Sequence, residues 1–328
     1  MKVADFELLC PECRIECRYK EQSQRFECGE CLAHYPLIGN NLVSFLPQQY
    51  ADTDFYDGLY AGTWEQREPV ITLRNKVAQC LINRLSMSGR KHRFFKKHMK
   101  RGDHLILDLA CGYGRELLTT YGKVIGLDIA ASPLLQASQS YAFCVHANAS
   151  RTPFKDDYFD YIISSDFLGH VPLDQKDALY REMYRILKTN GKMLHILETD
   201  STNWHFRYAH RHPQLFQKYF VERIGGHVGL EMPHRALTRF QDSGFKLIDV
   251  KKIWGDIWRV EEYRMMFDNE YRDRSKFIKG CVCLSKLLTA KVGVGVAFNI
   301  LVNPFAALIE RLTRLDNAQG ICVFCEKT

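Results

Sequence analysis

From residue 104 onward the chain alternates short apolar runs with amphipathic stretches, the pattern of a parallel sheet wound with helices. The runs 104–109, 124–127, 142–147, 160–164 and 192–197 read as five buried strands, with 245–250 as a sixth and 320–327 as a last one. Between the fourth and fifth, Leu179, Met183, Ile186 and Leu187 recur at helical spacing, and Asn190-Gly191 predicts a left-handed stop. Another helix is expected over 236–241. Upstream, Val70, Leu73, Val77, Leu81 and Leu85 mark one face of a helix, which reads equally as a lid over a ligand or as a helix packed on the sheet edge.

Two stretches interrupt this alternation. Asp200 to His234 holds Trp204, Phe206, Tyr208, Phe216, Tyr219 and Phe220 together with His205, His210, His212, His227 and His234. It follows the fifth strand, at the carboxyl edge where open α/β sheets bind ligands, so it is expected to cover a substrate. A metal site is the alternative there, but the insertion has no His-x-x-x-His on a helix and no adjacent acid to support it. The second stretch, Trp254 to Asp316, turns apolar, and Val292 to Ile309 carries no charge. As a helix those residues would extend about 27 Å. Asn299, Asn303 and Pro304 speak against a simple membrane span, because buried amides need partners and proline breaks the hydrogen-bond ladder. Paired helices over 284–312, roofing an apolar substrate or resting on a membrane surface, are preferred, with ordinary core packing as the plain alternative.

At 328 residues the chain has room for one large domain and a small one. Its net charge of +7 is local: Arg90, Lys91, Arg93, Lys96, Lys97, Lys100 and Arg101 carry seven positive charges without an intervening acid. That run reads as a solvated helix face or, alternatively, as a surface for anionic RNA or lipid; only Phe94 and Phe95 interleave it. Residues 1–9 include Asp5 and Glu7 and have no long apolar centre, so no secretory signal is expected. Twelve cysteines, several closely paired, then point to reduced thiols in a cytoplasmic protein, with membrane association as a variant of that expectation. Cys10-Pro11-Glu12-Cys13 and Cys28-Gly29-Glu30-Cys31 are two C-x-x-C knuckles whose thiolates suit a closed, structural tetrahedral Zn2+ site. Cys17 is a spare. Cys322 and Cys325 would face opposite sides of the last strand and share no metal.

The candidate chemistry centres on Asp108-Leu109-Ala110-Cys111-Gly112-Tyr113-Gly114, a strand end passing into a small-residue turn. A nicotinamide fingerprint would need a third glycine where Leu117 stands. The second strand delivers Asp128 to its carboxyl end, and then follow Ala147-Asn148-Ala149-Ser150, Phe159 to Ser165, Leu168-Gly169-His170-Val171 and Glu182 to Gly191. In this order the set resembles the class I S-adenosylmethionine (SAM) methyltransferases of type 11, which usually have glycine where Ala110 stands. The segment 1–46, with Tyr35-Pro36-Leu37-Ile38 after its second knuckle, is similar to the zinc ribbons that partner or precede bacterial methyltransferases.

These resemblances imply a seven-stranded, doubly wound, Rossmann-like α/β sheet over 104–328 with an antiparallel last strand, a zinc ribbon over 1–46 and a helical linker or lid over 47–103. They imply SAM as cofactor, with Asp108, Ala110, Cys111, Gly112 and Gly114 around its amino-acid end, Asp128 and Ile129 at the ribose, Asn148 and Ala149 at the adenine, and Ser165 and Asp166 facing the methyl group. His170 matches the histidine of a frequent Glu-His pair whose glutamate is here Gly169. For a hydroxyl acceptor, His170, Asp166 and His205 are the candidate bases; for His170, capping of the next helix is the structural alternative. The expected activity is methyl transfer to a small or amphipathic acceptor, O- or N-directed: a lipid, glycan or natural-product intermediate. The alternatives are an RNA methyltransferase gripping nucleic acid with ribbon and basic helix, or a non-catalytic binding protein of the same fold.

Overall fold

The computed structural model describes residues 3–46, 87–223, 226–253, 260–290 and 311–328, with the single positions 298, 301, 302, 305 and 308. The expected helix over 70–85 lies outside the described residues, as does most of the apolar run 292–309.

Five short strands come first: β1 (Leu8–Leu9), β2 (Glu16–Lys20), β3 (Arg25–Cys28), β4 (His34–Gly39) and β5 (Leu42–Ser44). Helix α1 (Met87–His98) leads into β6 (His104–Leu109), β7 (Gly122–Asp128), α2 (Ala131–Ala137), β8 (Phe143–His146) and β9 (Phe159–Ser165). Then come α3 (Lys176–Ile186), β10 (Leu187–Glu198), α4 (Trp204–His210), α5 (Pro213–Phe216), a π-helical turn Gln217–Arg223 and α6 (Pro233–Asp242). The chain closes with β11 (Phe245–Ile253), α7 (Val260–Phe267), α8 (Lys276–Thr289) and β12 (Gly320–Lys327).

The strands form one sheet in the order β1-β2-β3-β4-β5-β8-β7-β6-β9-β10-β12-β11. Strands β8, β7, β6, β9 and β10 run parallel, and β12 enters antiparallel between β10 and β11. A count of seven strands therefore falls short: seven make the wound core, and the five N-terminal strands extend it to twelve. The extension is continuous because β5 pairs in parallel with β8, Leu42 opposite Cys144 and Ser44 opposite His146.

Near-continuous apolar sequence in the central strands reflects burial on both faces. Leu107, Leu109 and Ile162 enter one core, Ile106 and Ile163 the other. Cys325 and Cys322 divide in the same way, so their spacing does place them on opposite faces. The first core runs without a break into the N-terminal strands through Phe6, Leu8, Phe26 and Tyr35, and the ring of Phe6 stacks on Phe143 with centroids 4.2 Å apart.

Two local expectations change. Helix α3 stops at Ile186, four residues before the expected cap, because Leu187 is already extended and starts β10; Asn190 does take a left-handed φ of 61°, but inside that strand. The basic run is mostly helical, yet it is not simply a solvated face. Phe94, Phe95 and Met99 pack beneath α1, while Lys91 pairs with Asp166 at 2.8 Å, and Lys97 and His98 reach Asp249 at 2.6 and 2.7 Å.

Both insertions leave the sheet from one edge. β11 runs parallel to β10, since each is antiparallel to β12, so α4 and α7 both begin at the carboxyl ends of their strands. They pack together there: Phe206, Leu215, Tyr219 and Phe220 from the first join Met266, Phe267, Tyr271, Ile278 and Val282 from the second.

Candidate active site

The turn after β6 is built from left-handed backbone. Ala110, Gly112 and Gly114 have φ of 54°, 52° and 79°. Glycine is required at 114 for a second reason, since a Cβ there would press on Ala137 and Tyr141 at 3.1 Å. Ala110 adopts the same region with a side chain, at a cost of about 1–2 kcal/mol.

Asp108 is wholly buried. Arg115 forms an ion pair with one of its oxygens, and the Tyr141 hydroxyl donates to the other at 2.6 Å. Burial pushes this carboxyl up from the ordinary value, against the pull of Arg115 and the Tyr141 hydrogen bond. Tyr141 also accepts the Arg115 backbone N–H, so one phenol ties the motif acid to the turn that follows it.

Asp128, at the end of β7, accepts the Gly112 amide at 2.7 Å and the Ala130 amide at 2.9 Å. Burial raises its pKa to about 6, against the lowering by the amides of Ala130, Gly112 and Ile129. A carboxylate has about four acceptor directions, so beyond these three amides one remains for a hydroxyl donor. Asn148 uses its side-chain oxygen to accept the Ser150 amide at 2.8 Å, and Ala149 lies beside it at the end of the third core strand. Cys111 is buried behind the turn, which raises its thiol pKa well above the ordinary value. The glycine-lined turn, the buried acid at 128 and the half-buried Asn148 thus line up along the carboxyl ends of β6, β7 and β8, and fit a nucleoside joined to an amino acid.

At β9 the chain turns at Asp166, whose φ is 55°. Its carboxylate takes the Ser165 hydroxyl at 2.8 Å and the Lys91 ammonium at 2.8 and 3.0 Å. His170 lies four residues on, but it does not cap α3, whose N-cap is Gln175. Its Nε2 sits 3.7 Å from Oε2 of Glu198, at the end of β10, and its ring is 4.5 Å from that of His227. The carboxylate missing at position 169 is thus supplied from a neighbouring strand, and a Cβ at Gly169 would come within 3.3 Å of His227 and 3.5 Å of Glu198. His205 is placed elsewhere, packed among Trp204, Phe206 and Tyr263. Arg115, Tyr141, Lys91 and Glu198 carry no motif signal of their own; each is recognised only once its partner is in view.

Against this geometry, residues 107–195 match the family model described as a methyltransferase domain. The chain carries a class I SAM-dependent methyltransferase domain. The demethylmenaquinone methyltransferase of Alkalihalophilus pseudofirmus is 29% identical to this methyltransferase over 202 residues, 52% of this chain and 84% of that one. The enzyme of the same name from Oceanobacillus iheyensis is 32% identical over 157 residues, 42% and 64% of the two chains. Among solved structures, the geranyl diphosphate C-methyltransferase of Streptomyces coelicolor aligns with a TM-score of 0.44 at 12% identity, over 74% of this chain and 81% of that one. SAM supplies an already activated methyl group, so the methyltransferase's own task is to hold donor and acceptor in line and keep water away.

A second cluster lies in the N-terminal strands. The Sγ atoms of Cys10, Cys13, Cys28 and Cys31 all fall within 4.8 Å of one another, with Cys10 to Cys31 at 3.6 Å, Cys13 to Cys28 at 3.3 Å and Cys13 to Cys31 at 3.8 Å. Four thiolates about 2.3 Å from a central ion have edges of about 3.8 Å, so the donor set fits a tetrahedral metal. The Tyr35 hydroxyl lies 3.0 Å from Cys10 Sγ, placed to support that ligand. Cys17 is buried apart from the four, with its pKa raised to about 12 by burial and by the neighbouring thiols.

Proposed function

We propose that this methyltransferase moves the methyl group of SAM to a small, amphipathic, lipid-like acceptor, at oxygen or another nucleophilic atom. The observation that carries the reading is the joined aromatic block of the two insertions, standing at the carboxyl edge of the sheet from which Asp128, Asp166 and Glu198 also emerge. Such a block suits an apolar acceptor body whose polar end meets the titratable groups. The two named relatives favour a ring bearing an apolar tail as the first acceptor to try. Asp108, Ala110, Cys111, Gly112, Gly114, Asp128, Ile129, Asn148, Ala149 and Ser165 are assigned to SAM, and Asp166 and His170 to the acceptor side. His205, buried among aromatic rings, is assigned to shaping the acceptor cavity.

A structural Zn2+ on Cys10, Cys13, Cys28 and Cys31 belongs to the same proposal, as does peripheral contact with a membrane in the cytoplasm. Support for that contact comes from the exposed positions Leu301, Phe305, Leu308 and Leu312, whose spacing puts them on one helical face, and from exposed Phe277 and Leu287 on α8. Among the described residues no helix is long and apolar enough to cross a membrane. An RNA acceptor is disfavoured because Lys91, Lys97 and His98 are already engaged by Asp166 and Asp249.

The test is formation of S-adenosylhomocysteine by the full chain with SAM and a panel of demethylmenaquinol, short-chain hydroxylated lipids and protein-free ribosomal RNA. Turnover with the lipid-like members alone is the expected result. Methylation of RNA with none of the lipids would overturn the assignment.

A further inference from the structure

The geometry points to a divalent cation site formed by His170, Glu198 and His227, distinct from the cysteine cluster. One ligand atom from each of the three lies within 4.8 Å of the others, and the facing distances to Oε2 of Glu198 are 3.0 Å from His227 and 3.7 Å from His170. Three different elements converge to do this: the turn after β9, the end of β10 and the segment that returns from the first insertion. The last is fixed tightly. The Gly229 amide donates to the Gly169 carbonyl at 2.9 Å, and a Cβ on Gly229 would lie 1.7 Å from the Val171 carbonyl oxygen.

The tautomer of His227 is set by its surroundings. Its Nδ1 lies 3.2 Å from the Phe220 carbonyl oxygen, which only accepts, so Nδ1 carries the proton. Nε2 then faces the Oε2 atom of Glu198 at 3.0 Å. The same carboxylate oxygen is approached by His170, whose ring is only 4.5 Å from that of His227. A divalent cation seated among these three ligand atoms would be held by two imidazoles and one carboxylate. A ring N–H bound to a backbone carbonyl, with the opposite nitrogen turned toward the other ligand atoms, is also the usual arrangement around metal-bound histidine.

Two imidazoles and one carboxylate suit late first-row cations such as Zn(II), Co(II) or Fe(II), and three protein ligands leave positions open. Resting on the methyltransferase reading above, those open positions would take an oxygen of the acceptor and hold it at the carboxyl edge, one turn of chain from Asp166.

The experiment uses the full chain carrying one equivalent of Zn(II), titrated with Co(II) and followed by visible absorption and calorimetry. The expected result is one further equivalent bound, with cobalt d–d bands and no thiolate charge-transfer band. Glu198→Gln and His170→Asn should each weaken that binding at least tenfold while circular dichroism stays unchanged; the half-buried His170 gives a readable variant if the glutamate change disturbs folding. Absence of cobalt binding to the wild type, or unchanged affinity in both variants, would mean an imidazolium–carboxylate pair and overturn the site. SAM affinity is measured on the same samples: SAM binding without cobalt binding sinks the cation site alone, and cobalt binding without SAM binding upholds it while the methyl-transfer reading fails.

Discussion

Tyr141 donates its hydroxyl to Oδ2 of Asp108 at 2.6 Å, across 33 residues of chain and beside the left-handed turn that follows β6. Replacing it with phenylalanine keeps the ring against Gly114 and Gly126 but leaves one oxygen of a fully buried carboxylate without its donor. Tyr141→Phe is expected to cost about 1–2 kcal/mol in a urea melt and to weaken SAM binding by calorimetry, since Asp108 and the Arg115 amide are released together.

Ala110 offers the opposite case. Its left-handed φ of 54° strains any residue with a Cβ, and glycine removes that strain where the native conformation is already paid for by the surrounding fold. Ala110→Gly should raise stability by about 1 kcal/mol, read as a higher melting temperature, with SAM affinity kept or improved.

Substitution tests the cysteine cluster. Because Cys10 and Cys28 sit in the same continuous core as Leu107, Phe143 and Ile162, loss of a metal there is felt by the whole sheet. Cys28→Ser is expected to lower the melting temperature of the entire transition and to reduce the zinc content by one equivalent per chain in elemental analysis.

Asp128 sets a pH dependence for binding. Its folded-state pKa of about 6 lies above that of a free carboxyl, so on lowering the pH it takes up a proton before a solvent-exposed acid would. The neutral form gives up acceptor capacity toward ribose hydroxyls. SAM affinity should therefore be full above about pH 7 and fall as the pH drops through about 6, while Asp128→Asn binds weakly with a flatter profile.

The wound core was legible because parallel strands leave continuous apolar runs, and all seven expected runs became strands. Less visible was anything that depends on a partner distant in sequence. Glu198 reads as the polar end of a strand, and no histidine of the first insertion has an acid immediately beside it in sequence; only the fold brings Glu198 between His170 and His227. The same holds for Lys91 and Lys97, which look like members of a basic run until Asp166 and Asp249 appear opposite them. The early end of α3 is hidden in the sequence because Leu187 continues a helical spacing while serving as the first residue of a strand.

Leu42–Ser44 lies along Cys144–His146, and Ser44 meets the ring of His146 at 2.8 Å although 102 residues separate them. The order of synthesis makes this pairing costly to arrange, since residues 42–44 leave the ribosome long before 144–146 exist. Until then Phe6 lacks the Phe143 ring on which it stacks. Cutting the first 46 residues away would expose the backbone of 143–146 as a bare margin, inviting other chains to pair there.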